Sequence, residues 1–173
     1  VVTLGTCDPI EGAEVIETRN EVEFLEKARA VIVTSDADFV RHYNGFGFDL
    51  PYLWTRATPP EGSVRPACQV FAYLGKFKWK ACPFREKALN SDGLGSNMLY
   101  YVDMDGRSHM DLFMWYKSRY NEASYKLDDV ARRVTGEAKL DFPYHLIKPY
   151  YHGTSAQRKE MAAYCLQDSE LLD

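Results

Sequence analysis

The chain has 173 residues, of which 46% are apolar, 14% aromatic and 27% charged, with 8 Pro and 11 Gly. This composition excludes disordered, collagen-like and low-complexity classes and predicts a soluble globular domain or a piece of a larger one. With 21 Lys and Arg against 25 Asp and Glu the net charge is −4, so the bulk charge advertises no polyanion partner, and any nucleic-acid site must be local. Cys7, Cys68, Cys82 and Cys165 lie far apart. That spacing argues against a zinc ribbon or a redox dithiol and predicts free thiols in a reducing compartment. No apolar run approaches the roughly 20 residues of a membrane span, and the first residues lack a basic n-region and an h-region. A protein neither secreted nor membrane-bound is expected.

In chain order, Val1–Thr6 reads as a strand and the polar stretch through Thr18 as a loop. Val22, Phe24, Leu25, Ala28, Val31 and Ile32 roughly follow helical spacing behind Asn20 as N-cap. A short strand, Phe39–Tyr43, follows, then a turn flexed by Gly45 and Gly47 and a helix over Phe48–Ala57 with Pro51 in its first turn. Strand, turn and helix in sequence suggest an α/β unit. Three prolines, a basic aromatic stretch (Lys76, Phe77, Lys78, Trp79, Lys80) and the polar run Asn90–Asn97 change the character between Thr58 and Gly106. That polar run reads as a hairpin tip or a mobile loop. Met98–Met104 is rich in β-formers and leads to Asp105-Gly106, a strong hairpin signal. Asp111 opens a helix through Tyr120, Ser124–Val134 is a further one closed by Gly136, and the last begins near Ser155. The chain opens in what looks like mid-strand and stops in mid-helix, as an excised segment would.

Two constellations could carry chemistry. On the last helix Met161, Tyr164, Cys165, Leu171 and Leu172 share one face, and Asp168 falls inside that stripe. A carboxylate on an apolar face needs a hydrogen bond, a partner charge or a metal. A solvated Asp at the stripe's edge gives the same pattern, and Tyr-x-x-x-Asp recurs at Tyr101/Asp105 and Tyr125/Asp129. The second constellation is residues 43–53, Tyr-Asn-Gly-Phe-Gly-Phe-Asp-Leu-Pro-Tyr-Leu, with Asp49 among aromatics at a strand-to-helix junction. There the carboxylate reads equally as a helix N-cap and as a ligand, and the two are not exclusive.

Together these residues resemble the 3′-to-5′ exonuclease domain of family B DNA polymerases. Residues 43–53 match its second motif, Tyr-Asn-x-x-x-Phe-Asp-x-Pro-Tyr-Leu, and Tyr164-Cys165-Leu166-Gln167-Asp168 matches its third, Tyr-Cys-x-x-Asp. Gly106-Arg107 with Met110-Asp111-Leu112, and Ser124-Tyr125-Lys126-Leu127 leading to Val130, look like further landmarks. The resemblance covers nearly the whole chain in the right order and is strongest toward delta-type replicative enzymes and the polymerases of large DNA viruses.

The resemblance implies an α/β, RNase H-like exonuclease fold, a mixed sheet flanked by helices, truncated at both ends. It makes 1–173 a partial exonuclease domain with a β-hairpin-type insertion at about 59–107. It implies proofreading hydrolysis of a primer's 3′-terminal phosphodiester in DNA replication, with two ions of Mg²⁺ (or Mn²⁺) held by four carboxylates. Carried over position by position, Asp49 and Asp168 are metal ligands and Tyr164 orients the attacking water, so Asp49, Tyr164 and Asp168 are the catalytic set. Asn44 and Phe48 would touch the unpaired 3′ end. The implied partners are the single-stranded primer 3′ end, the remaining polymerase domains and processivity or accessory subunits, with no membrane. The implied location is intracellular, the nucleus or a viral replication site by analogy.

Two departures stand out. Gly47 occupies a position where the family often has Asn, and the first motif, Asp-x-Glu on an opening strand, is missing. Asp36-Ala37-Asp38 lies where the family has a structural turn, and a solvated helix end explains it. Two of four carboxylates are thus expected here, and a fragment inactive by itself. Two other readings compete: an exonuclease-like DNA-binding scaffold without catalysis, and a free-standing DEDD-type exonuclease. Residues Cys82–Tyr101 fall where delta-type enzymes carry a strand-separating hairpin, and a surface insertion reads equally well. Lys76, Lys78, Lys80, Arg85 and Lys87 interleaved with Phe77, Trp79 and Phe84 suit a strand-binding surface or a lysine-protected edge strand alike. His42, His109, His145 and His152 show no ligand spacing.

Overall fold

The computed structural model describes residues 1–91, 95–136 and 142–172. The chain forms β1 (Val2–Leu4), β2 (Ile16–Thr18), α1 (Glu21–Thr34), β3 (Phe39–His42), α2 (Asp49–Ala57), β4 (Phe84–Ser91), β5 (Gly95–Val102), β6 (Ser108–Asp111), α3 (Leu112–Arg119), α4 (Leu127–Val134), α5 (Tyr144–Tyr151) and α6 (Ser155–Glu170), with a 3-10 turn at Gln69–Ala72. It divides into two compact units, one of residues 1–27 and 126–173, the other of residues 28–125. The class is mixed α/β, as expected. In place of one continuous sheet, the described strands form three two-stranded sheets: β1 with β2 parallel, β3 with β6 parallel, β4 with β5 antiparallel.

In the first unit Cys7, Leu25, Val130, Ala131 and Ala162 are buried, and the β1–β2 pair is closed by the Thr18 hydroxyl, which donates to the Thr3 carbonyl at 2.8 Å. Asn20 Oδ1 accepts the Glu23 N–H at 3.0 Å and caps α1 as its sequence position predicts. Helix α6 starts on a reciprocal box, with Thr154 Oγ1 accepting the Gln157 N–H and Gln157 Oε1 accepting the Thr154 N–H. Arg158, one turn in, donates to the Thr6 hydroxyl at 2.9 Å and to the Gly153 carbonyl at 2.6 Å, which ties the helix to the end of the β1 segment. The α6 stripe differs from its expectation: Ala162 is the buried residue and Cys165 is exposed. Strand β2 lies in the stretch expected as loop and spans only three residues, and helix α5, which carries Pro149 inside it, adds to the expected elements.

The second unit holds Leu50, Ala57, Phe71, Leu74, Cys82, Val102, Met104 and Tyr116 in its core. Strands β4 and β5 pair residue for residue from Phe84↔Val102 to Ser91↔Gly95, so the hairpin expected within Cys82–Tyr101 is present. Its tip, Asp92–Leu94, lies outside the described residues. Trp54 of α2 stacks on Phe84 at 5.2 Å, and Phe84 on Tyr100 at 6.3 Å, which seats α2 against the hairpin.

Asp105-Gly106 makes a turn, with the Arg107 N–H donating to the Met104 carbonyl at 3.0 Å, but no hairpin. A two-residue hairpin of type I′ needs positive φ at both central residues, and here only Gly106, at +79°, has it. Strand β6 instead runs parallel to β3, with Phe39↔Ser108, Val40↔His109, Arg41↔Met110 and His42↔Asp111 opposed. Buried Arg107 supports that departure by donating to the carbonyls of Leu74, at 3.0 Å, and Ala37.

Lys76–Lys80 of the basic aromatic series forms bends and turns, whereas Phe84, Arg85 and Lys87 lie on strand β4. Lys76 pairs with Asp38 and Lys80 with Asp105 at 2.9 Å, while Trp79 is 80% exposed. The side chains of Asp36 and Asp38 lie mostly in solvent just past the end of α1, so the reading of that pair as a solvated helix end holds. All four cysteines are free thiols. Among the described residues no helix is long and apolar enough to cross a membrane.

Candidate active site

Strands β3 and β6 end side by side, and the Tyr43–Phe48 segment leaves β3 at that end to enter α2. Its shape is set by hydrogen bonds to the Asn44 carbonyl, which accepts the N–H groups of both Gly47 and Phe48 at 3.1 Å, and by the Leu50 N–H donating to Gly45 at 2.9 Å. Asn44 sits in the left-handed region at φ +62°, where Asn is among the few non-glycine residues at ease.

The two glycines serve a purpose other than the flexing that their sequence suggested. Neither has positive φ. A Cβ on Gly45 would lie 2.6 Å from the His42 Cβ, and one on Gly47 would lie 2.6 Å from Asn44 Oδ1. They leave room for the side chains of His42 and Asn44.

Asp49 is the first residue of α2 and not its cap; Phe48 holds the cap position and makes no side-chain hydrogen bond there. A carboxylate in the first turn meets the positive end of the helix dipole. Partial desolvation raises the Asp49 pKa from its ordinary value, with a contribution from the negative charge of Asp111, while its own backbone amide opposes the rise and the residue keeps solvent contact. Phe48 is 65% exposed and lies parallel to Tyr52, one turn on, with ring centroids 6.3 Å apart. The turn therefore presents an exposed amide side chain, an exposed aromatic face and a carboxylate together.

Asp111 is a residue whose part in this unit the sequence reading missed beyond its place as a helix start. It is 5% exposed and caps α3 by accepting the Phe113 N–H at 3.1 Å. Its carboxylate also accepts the N–H of Asn44 at 2.8 Å and that of Phe46 at 3.1 Å. Beneath the same turn His42 and His109 meet, and both are held below the ordinary imidazole pKa by burial. Tyr43 reaches the other way, donating its hydroxyl to the Tyr125 carbonyl at 2.6 Å, while Phe113 packs edge-on to both rings. The landmark residues Asp111 and Tyr125 thus hold the turn from two sides.

In the other unit, Tyr164 and Asp168 lie one turn apart on α6 and are half-buried, with Asp168 Oδ1 shielded from solvent. The Tyr164 ring packs against Phe142 at 5.4 Å. The single Asp-x-Glu triplet of the chain, Asp168-Ser169-Glu170, ends this helix and is no strand motif. Among the described residues no three His, Cys, Asp or Glu side chains converge into a group that could hold a metal ion. Each unit supplies one of the two expected carboxylates.

The model of the DNA polymerase family B exonuclease domain matches residues 1–130. The chain belongs to this family. It is 33% identical over 168 residues to the DNA polymerase delta catalytic subunit of Caenorhabditis elegans, covering 97% of this chain and 15% of that protein. It is 32% identical over 171 residues to the corresponding subunit of Drosophila melanogaster, covering 99% and 15%. To a DNA polymerase of Pyramimonas orientalis virus it is 36% identical over 141 residues, covering 80% and 11%. The chain thus spans about a seventh of the length of the delta-subunit relatives it matches.

Proposed function

We propose that the chain is the proofreading exonuclease segment of a delta-type or viral family B DNA polymerase. In this reading it removes mispaired 3′-terminal nucleotides from the primer, with the RNase H-like sheet completed around it. The observation that carries the reading is the Asn44–Asp49 turn, in which a carboxylate opens a helix next to an exposed aromatic pair, on a loop held by the buried Asp111. Family membership over residues 1–130 supports it.

The donor chemistry fits a hard divalent ion: Asp49 and Asp168 offer carboxylate oxygens, which suit Mg²⁺ or Mn²⁺ better than thiols or imidazoles do. Such ions, when bound, polarise the phosphoryl group and stabilise the leaving oxygen. Asp49 and Asp168 would hold them. The Tyr164 hydroxyl orients the attacking water, Asn44 offers its amide to the strand, and Phe48 packs against an unpaired base. The β4–β5 hairpin is bonded to the same turn, its Tyr100 N–H donating to the Phe46 carbonyl at 3.2 Å, which favours the strand-separating role over a surface insertion. The remaining domains would supply polymerisation and bind accessory subunits, at the nuclear or viral site of replication.

The test uses the complete polymerase and a labelled primer whose 3′ end is either matched or mispaired. Digestion that requires Mg²⁺ or Mn²⁺, stops with chelator and favours the mispaired end supports proofreading. DNA binding without digestion would favour the inactive scaffold.

A further inference from the structure

We propose that Asp111 is a positioning residue for 3′-end hydrolysis, its buried carboxylate holding the Asn44–Phe48 turn in the shape that presents Asn44 and Phe48 to the strand and starts α2 at Asp49. The proposal rests on the exonuclease reading given above.

Three bonds carry it. Oδ1 accepts the N–H groups of Asn44 at 2.8 Å and Phe113 at 3.1 Å, and Oδ2 accepts that of Phe46 at 3.1 Å. Parallel pairing brings this about: His42, the last residue of β3, opposes Asp111, the last of β6, so the carboxylate sits where the chain leaves β3. Asp111 is 5% exposed, and among the described residues no Lys or Arg forms an ion pair with it. Its charge is met by amide dipoles and the amino end of α3, and a buried carboxylate satisfied in this way binds those amides with charge-assisted strength.

A helix cap alone does not call for this residue. Serine, threonine or asparagine would cap α3 equally well. The two further bonds need a charged, two-pronged acceptor, because an asparagine offers one carbonyl oxygen and would turn an NH₂ group toward one of the amides. Both go to the turn that holds the proposed strand contacts, and they lock Asn44 in its left-handed conformation at φ +62°. Both carboxylate oxygens are engaged by N–H groups, two of them from the turn, so the role assigned to Asp111 is exercised through the turn.

The experiment compares Asp111→Asn and Asp111→Ser in the complete polymerase, with Asp49→Ala as reference. Serine keeps the α3 cap but is too short to reach the turn. The expected result is a loss of about 10²-fold in kcat/KM for a single-stranded 3′ end in Asp111→Ser, including a raised KM, with polymerisation unchanged. Asp111→Asn should fall between it and wild type. Hydrogen exchange supplies the readout that a cap would not move: in Asp111→Ser, amides in peptides covering residues 44–48 should exchange at least tenfold faster while those covering 112–116 stay protected. Wild-type digestion by Asp111→Ser, or exchange quickened only at 112–116, would overturn the proposal. So would an Asp111→Asn protein that no longer unfolds cooperatively, since the residue would then be a requirement of folding alone. If Asp49→Ala digests as wild type does, the exonuclease reading has failed; if only Asp111→Ser does, this proposal alone has.

Discussion

His42 Nε2 and His109 Nδ1 lie 2.8 Å apart across the β3–β6 pair, their rings stacked at 5.1 Å and 13°. Burial, then the neighbouring His109, pushes the His42 pKa down to about 4, against an opposing pull from Asp111. Burial also lowers His109, opposed by the Val102 backbone and Asp103.

The pair predicts a pH-dependent stability. A folded-state pKa below the unfolded value of 6.5 means that the unfolded chain binds more protons between the two. Stability is therefore full above pH 6.5 and is lost as pH falls from there toward about 4, by on the order of 1–3 kcal/mol. Thermal unfolding of the chain across that range should show the slope, and His42→Gln should flatten it. An unchanged slope in His42→Gln would assign the dependence to other groups.

Space, not flexibility, explains the glycines, and the two should respond differently. Gly45→Ala puts a Cβ 2.6 Å from the His42 Cβ, an atom close to the backbone that cannot move aside, and should cost about 1–3 kcal/mol. Gly47→Ala meets the far end of the Asn44 side chain, which can rotate, so its stability cost should be small while strand affinity falls. Denaturant melts and binding of a single-stranded oligonucleotide by the complete polymerase separate the two effects.

Tyr164→Phe should cost less exonuclease activity than Asp168→Ala. The ring packs on Phe142 at 5.4 Å, and phenylalanine keeps that contact while removing only the hydroxyl. In the proposed roles one orienting hydrogen bond is then lost, against a metal ligand in the other case. Single-turnover digestion rates compare them, and equal losses would give the hydroxyl an essential role.

Much of this was legible before the fold. Asn20 announced its helix through cap chemistry, the helix starts at Asp111 and near Ser155 were legible, and the turn residues Asn44, Phe48 and Asp49 stood in a motif. The rest depended on pairing over distance. His42 and His109 are 67 residues apart, as are Asn44 and Asp111, and only the parallel β3–β6 register joins them. The local signal pointed elsewhere, because Asp105-Gly106 favours a hairpin whereas the buried Arg107 anchors the turn to Leu74 and Ala37. Helix α5 carries little sequence signal because Pro149 interrupts its pattern.

The 173 residues by themselves should bind Mg²⁺ weakly and show no appreciable nuclease activity. They bring two of the proposed ligands, and among the described residues no group of three acidic, His or Cys side chains forms a metal cluster. Mg²⁺ sheds water reluctantly when few hard oxygens replace it. Calorimetric titration with Mg²⁺ and incubation with a labelled single strand check this, and robust Asp49-dependent digestion would show that other acids complete the site.

The most direct measurement is digestion of a single-stranded 3′ end by the complete polymerase carrying Asp49→Ala or Asp168→Ala. With the two carboxylates as ligands of ions used only in hydrolysis, each variant should lose at least 10²-fold in exonuclease rate while primer extension persists at the wild-type level. Near-normal digestion by either variant would contradict the assignment of that carboxylate to the metal site.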